Sequence, residues 1–393
     1  MPFWTFRSGF LNLLMFIGFL LPFNPPWLGL LAVAVSVFWI LSLVTGSISF
    51  NITSAPLLLS LILLLYLFVM YLFVFHDEAG LAKTLETRAG LWLGLFIVSG
   101  SRLRVHERRG VWNALRAGLD VSLILCFLQA FWAFLTTLQP QKLIHSDFSR
   151  FMHAGYLSVL IFTVLFNELL ACRRLGLRLP IYVLSLILLG SKAVWAAMFL
   201  AGVILFLHPG MRRRVVLWIN SRQAFWLLLF LLAGGMVVPR IVTAWRELQG
   251  HWPEKAWRSS VLVRQEVWRC GMELASEAPF WGMGEARLRN ALNACYEKKA
   301  VSTALKNRYN LHNQFLEEFI LHGFIGMALF FLIGAALAWQ MAKHDFRMAV
   351  LLMLIFLCWG GSESFLQRSQ GCLWLGFVWP LSTALYEKDA GPD

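Results

Sequence analysis

The residues of this chain that could do chemistry gather in its second half. His312 is followed directly by Asn313, where a polar stretch gives way to a long apolar run. An imidazole is the side chain best suited to take a proton from a hydroxyl near neutral pH. Arg264 stands one helical turn before Trp268 and ahead of the turn Ala278-Pro279-Phe280-Trp281-Gly282-Met283-Gly284. Lys83, Arg88, Arg150, Lys192 and Arg368 occupy other gaps between apolar runs. Guanidinium groups grip phosphate oxygens in a planar fork and ammonium groups act as point charges, so the set suits an anionic ligand. Taken singly, such a cation is as readily a headgroup-snorkelling residue or a partner for a nearby glutamate. Arg264 stands apart because its helix face leads into a glycine-rich turn.

Glu317 and Glu318 open the apolar run after His312, where one of them orients the imidazole or pairs with a cation. His322 reads as a packing or lipid-facing residue. His76-Asp77-Glu78 and His145-x-Asp147 fall short of a metal cluster, and the six cysteines form no CxxC pair. P-loop, HExxH, GxSxG and dinucleotide-binding glycine patterns are all missing. The sequence therefore predicts no metal and no cofactor. Cys270 and Cys295 both lie in the long segment and could form a disulfide if it faces an oxidising compartment, which the sequence leaves open.

The elements that must position these residues follow from composition. The 393 residues are 59% hydrophobic and 14% charged, with mean hydropathy +0.67. A soluble domain carries about 25% charged residues, so this chain has the bilayer as its solvent. The net charge of +13 sits in short gaps between apolar runs, which disfavours nucleic-acid binding. No small-residue cleavage site follows MPFWTFRSGF, so the first apolar run is expected to be retained. Runs near 6–22, 27–45, 55–75, 89–101, 112–138, 151–171, 180–208, 224–239, 314–340, 346–360 and 372–387 predict an all-α, polytopic membrane protein. Splitting 180–208 at Gly190-Ser191-Lys192 brings the count to about twelve and keeps the lysine out of mid-bilayer. The arginine-rich gaps 102–110, 172–179, 209–223 and 341–347 then share one side, the cytoplasm with both termini. The organisation reads as helices 1–9 over 1–239, an outer catalytic loop with two amphipathic helices over 240–313, and helices 10–12 with a tail over 314–393. The loop helices are expected near 254–276 and 284–303, separated by APFWGMG.

In the order of its motifs the chain resembles the O-antigen ligase and polymerase superfamily of bacterial inner membranes. The resemblance rests on Arg264 with Trp268, Pro279 with Gly282-Met283-Gly284, His312-Asn313, Leu316, and the pair Gly323 and Gly326. The Gly190-Ser191-Lys192-Ala193 turn is similar to the family's Ser-Arg-Gly turn, with lysine for arginine. Where the family often places a glutamate before the glycine that follows His-Asn, this chain reads Leu321-His322-Gly323. The resemblance implies metal-independent, inverting glycan transfer from undecaprenyl diphosphate at the periplasmic face. For a ligase the acceptor is a sugar hydroxyl of lipid A–core; for a polymerase it is another lipid-linked repeat. The ligase is favoured here, with the polymerase and a lipid-linked oligosaccharide transporter as alternatives. For this chemistry we assign catalysis to His312, which deprotonates or orients the acceptor hydroxyl, Arg264, and Asn313, which holds the geometry. Binding of the donor diphosphate falls to Lys83, Arg88, Arg150, Lys192 and Arg264.

Overall fold

A computed structural model of the chain describes residues 4–144, 148–171, 176–207, 242 and 260–387. The span expected at 224–239, the gap 209–223, His145, Asp147 and the start of the loop through Trp257 lie outside the described residues. Helices dominate what is described, and one isolated bridge joins Phe50 to Ser101. Among the described residues, four stretches are long and apolar enough to cross a membrane: Phe6–Phe23, Ala55–Val74, Val105–Thr137 and Gln314–Ala342. Shorter apolar helices cover Leu28–Val44, Ala154–Leu170, Arg178–Leu189, Lys192–Ile204 and Phe346–Gly360. The chain is thus an all-helical, multi-pass type of membrane protein.

In chain order the helices are α1 (Trp4–Leu20), α2 (Leu28–Val44), α3 (Ala55–Val69), α4 (Glu78–Gly94), α5 (Val105–Thr137), α6 (Ala154–Leu170), α7 (Arg178–Leu189) and α8 (Lys192–Leu207). Then follow α9 (Ser260–Glu277), α10 (Glu285–Lys298), α11 (Ser302–Asn307), α12 (Gln314–Ala342), α13 (Phe346–Gly360), α14 (Ser369–Leu373) and α15 (Trp379–Leu381). Gly190, at φ +64, ends α7, and Lys192 opens α8, so the long run at 180–208 breaks at the expected turn.

One expectation about α4 needs correcting. The apolar run at 89–101 is too short for a span unless its helix starts near Leu85; α4 begins earlier still, at Glu78 inside the polar stretch, and continues through a π-helical turn, Leu95–Gly100. Asp77 caps it by accepting from Gly80 N at 2.8 Å. The charges are tolerated because partners arrive from far along the chain: Lys83 meets Glu285 and Arg88 meets Glu318. Helix α4 also defines the two ends of the bundle. At its start Asp77 Oδ2 accepts from Ala286 N at 3.2 Å, and at its far end Ser101 bridges Phe50.

The segment 260–311 builds a small core of its own. Val267, Cys270, Leu274, Met283, Leu288, Leu292, Tyr296, Ala304 and Leu311 pack together with Ile320 and Leu321 of α12. Cys270 and Cys295 are joined in a disulfide that ties α9 to α10. Replacing both cysteines with serine is expected to lower stability by roughly 2–4 kcal/mol. The check is a fall in Tm that vanishes when both proteins are reduced.

The turn between α9 and α10 is locked onto α12 by backbone contacts. Met283 N donates to Ile320 O at 2.9 Å, Gly284 N to Leu321 O at 3.1 Å, and Phe324 N to Phe280 O at 2.9 Å. These bonds require α12 to break at Gly323, whose φ of +70 and ψ of −169 are non-helical. A Cβ at Gly323 would stand 2.1 Å from Phe280 O, and one at Gly282 would stand 2.4 Å from Leu321 O. Gly323→Ala is expected to lose about 2 kcal/mol or more from backbone strain, beyond the clash itself. Thermal unfolding of the detergent-solubilised protein measures it.

Candidate active site

His312 has φ +47, the left-handed region that a non-glycine residue occupies only where its surroundings hold it there. Those surroundings are local. Its N–H donates to Asn310 Oδ1 at 3.2 Å, and its ring packs edge-on against Tyr309 with centroids 5.3 Å apart. Asn313 caps α12, its Oδ1 accepting from Leu316 N at 3.0 Å, and Asn313 N donates to Ser364 Oγ at 3.2 Å. The second contact draws the 361–366 loop to the head of α12.

That loop carries Glu363, which holds the site together. His312 Nδ1 lies 3.1 Å from Glu363 Oε1, and Arg264 Nη2 donates to Glu363 Oε2 at 3.3 Å. The three side chains are half-buried, at 21%, 15% and 31% exposure for His312, Glu363 and Arg264. A carboxylate on Nδ1 holds a proton there, so in the neutral ring the lone pair lies on Nε2. Burial would push the Glu363 carboxyl up. The hydrogen bond and charge of His312, then Arg264, outweigh burial and hold it below the usual carboxylate range. His153, at the head of α6, faces the same group. Burial pushes its imidazole down, against the pull of Glu363, with Arg368, Arg264 and His312 pushing the same way as burial.

The structure brings together His312, Arg264 and Asn313, with His153 and Arg368 around them. Arg150 is exposed three residues before His153. Lys192 is exposed at the start of α8, which packs on α13 and α6. The other two sequence candidates sit elsewhere. Lys83 Nζ donates to Glu285 Oε1 at 2.6 Å; Arg289 bridges Glu285 at 3.0 Å and Glu317 at 2.6 Å. Burial raises the Glu285 carboxyl, yet Arg289 and Lys83 hold it below its ordinary range. Arg88 is 1% exposed and grips both oxygens of Glu318, at 2.5 and 3.2 Å.

Glu317 and Glu318 therefore pair with cations, and neither orients His312. His322 is fully buried rather than lipid-facing: its Nδ1 lies 2.8 Å from Glu318 Oε2 and its Nε2 3.4 Å from Tyr71 Oη. Gln314 connects this buried cluster to the site, donating to Glu318 Oε1 at 2.7 Å and accepting from Leu366 N at 2.7 Å. Glu363 is the member of this cluster that sequence reasoning misses. The available signal is that it is the one acid in Gly360-Gly361-Ser362-Glu363-Ser364-Phe365-Leu366-Gln367-Arg368, a short gap on the His312 side.

A bundle of apolar helices with a half-buried histidine–carboxylate–guanidinium cluster at one mouth has the form of a membrane enzyme. Residues 177–331 match the family model described as O-antigen ligase, so this part of the chain is similar to the O-antigen ligase and polymerase superfamily. The matched stretch includes Lys192, Arg264, Pro279, Gly282, His312, Asn313 and Gly323; Glu363 and Arg368 lie beyond it. No curated protein matches the chain.

Proposed function

We propose that this protein is an O-antigen ligase that transfers glycan from undecaprenyl diphosphate to a sugar hydroxyl of lipid A–core. The observation that carries the reading is the carboxylate of Glu363 shared between His312 Nδ1 and Arg264. In this reading His312 Nε2 takes the proton of the acceptor hydroxyl as its oxygen attacks the anomeric carbon. The bond from that carbon to the diphosphate oxygen breaks on the opposite face, so configuration inverts. Undecaprenyl diphosphate leaves with the electron pair. Its growing charge is met by Arg264 and Arg368, with Arg150 and Lys192 on the flanks, while Lys83 stays paired with Glu285. Fixed cations aimed at developing charge are often the largest catalytic term. Arg88 contributes from a distance, by fixing Glu318 and through it Gln314. Asn313 holds the head of α12 and so the position of the imidazole.

The Cys270–Cys295 bond supports a loop facing an oxidising compartment, which fits the periplasmic side of a bacterial inner membrane. The single helical loop favours ligase over polymerase. The break at Gly323 beside Arg88, Glu318 and His322 is the feature a transporter reading would use, since transporters place ionisable groups at interrupted helices. Here those groups satisfy one another. The test is incubation of purified protein with a defined undecaprenyl-diphosphate glycan and either lipid A–core or single lipid-linked repeats. Glycan on lipid A–core supports the ligase, elongation of repeats supports the polymerase, and translocation without transfer supports the transporter. Transfer is expected to persist in a chelator; loss restored by a divalent ion would contradict the metal-independent reading.

A further inference from the structure

The end of the bundle away from His312 holds a cationic cavity that this reaction does not use. Arg7 and Ser8 of α1, Ser47 after α2, and Arg104, His106 and Glu107 at the start of α5 line a space of about 370 Å³, with Leu11 on its apolar wall. The length of α4 with its π turn separates this end from the loop by roughly 30 Å. A donor diphosphate at Arg264 therefore does not reach it.

The one carboxylate in the lining is already committed. Arg7 Nε and Nη2 donate to Glu107 Oε1 and Oε2, each at 2.9 Å, and Arg104 N donates to Oε2 at 2.8 Å. Arg7 Nη1 donates to Ser47 O at 2.9 Å, so its guanidinium is committed as well. In the same basic run, Arg108 and Arg109 are pinned to the chain's last described segment, Arg108 by Glu387 and Arg109 by Ala384 O at 3.0 Å. Arg104 and His106 differ. Both are exposed at the mouth of the cavity, where the Arg104 side chain lies against the Glu107 backbone at the cap of α5 and neither side chain is paired with a carboxylate among the described residues. The cavity thus presents a guanidinium fork and an imidazole beside a neutralised ion pair.

A second observation selects the ligand's source. Val33, Val37, Ile40, Leu41 and Val44 form one exposed apolar face of α2, and Val44 is 80% exposed three residues before Ser47. That stripe ends three residues before Ser47 of the lining and supplies apolar surface for an acyl chain beside the cavity, which a free anion would not need. We propose that the cavity holds the phosphate of an anionic glycerophospholipid headgroup from the leaflet opposite the His312 site. Arg104 and His106 bind its oxygens and the α2 face takes a chain. Clustered basic side chains at a membrane surface recognise such lipids.

Native mass spectrometry of the full chain tests this, with phosphatidylglycerol and phosphatidylcholine of matched chains supplied together. The wild type is expected to retain phosphatidylglycerol preferentially. The double variant Arg104→Gln/His106→Gln is expected to lower that preference roughly tenfold. Arg102→Gln, the loss of one guanidinium charge at an exposed residue outside the lining, is expected to change it little. Equal retention of both lipids by the wild type would overturn the proposal. So would an unchanged preference in the double variant, an equal loss in Arg102→Gln, or displacement of the lipid by millimolar inorganic phosphate.

Discussion

His312→Ala is expected to lower glycan transfer by roughly 10²–10⁴-fold, the usual contribution of a positioned general base, while the protein stays inserted and folded. His312→Asn is the companion variant, because asparagine tolerates the left-handed backbone at φ +47 and cannot act as the base. Glu363→Gln is expected to fall in the same range, since an amide no longer fixes the proton on Nδ1. Acid dependence supplies an independent check. The Glu363 carboxyl is held below its ordinary range by His312 and Arg264 despite burial. Its contribution to stability is therefore fully present above the unfolded carboxylate value and lost as pH falls through the lower folded one. Wild type is expected to lose Tm on acidification through that window, and Glu363→Gln to lose less.

Arg88→Met is expected to act on the fold before it acts on the reaction. The Arg88–Glu318 pair is buried at 2% and 0% side-chain exposure, so removing one partner strands a charge. Breaking a pair of this kind costs about 3–5 kcal/mol, enough to deplete the protein from the membrane. Adding Glu318→Gln to Arg88→Met removes the second charge and keeps an acceptor for Gln314, so it is expected to recover most of the lost protein. Protein yield and Tm read this out. A contact between Arg88 and the donor diphosphate would give the opposite pattern: Arg88→Met folded and inactive, with no rescue by Glu318→Gln.

These two cases mark how far the sequence reaches. His312 and Asn313 are legible because they sit where a polar stretch gives way to an apolar run, and Arg264 because its helix face leads into a glycine-rich turn. Glu363 is not, since it joins His312 across 51 positions and Arg264 across 99 through a tertiary contact that leaves no periodic trace. The helix at 78–94 is hidden for a related reason. Its charges look solvated until Glu285 and Glu318, more than 200 positions away, arrive to pair with them. The pair Gly323 and Gly326 is visible as a motif, but only the docked turn at 279–284 explains why α12 must break there. The split at Gly190 is readable, because a lysine in the middle of an apolar run has few places to go.

The pairing of His312 with Glu363 is the claim on which the mechanism turns, and a double-mutant cycle measures it directly. Transfer rates are compared for wild type, His312→Ala, Glu363→Gln and the double variant, at equal amounts of folded protein. Groups that act as one unit are strongly non-additive, so the double variant should be no slower than His312→Ala alone. Losses that multiply would show that the carboxylate acts independently of the imidazole, and the mechanism drawn from their contact would fall.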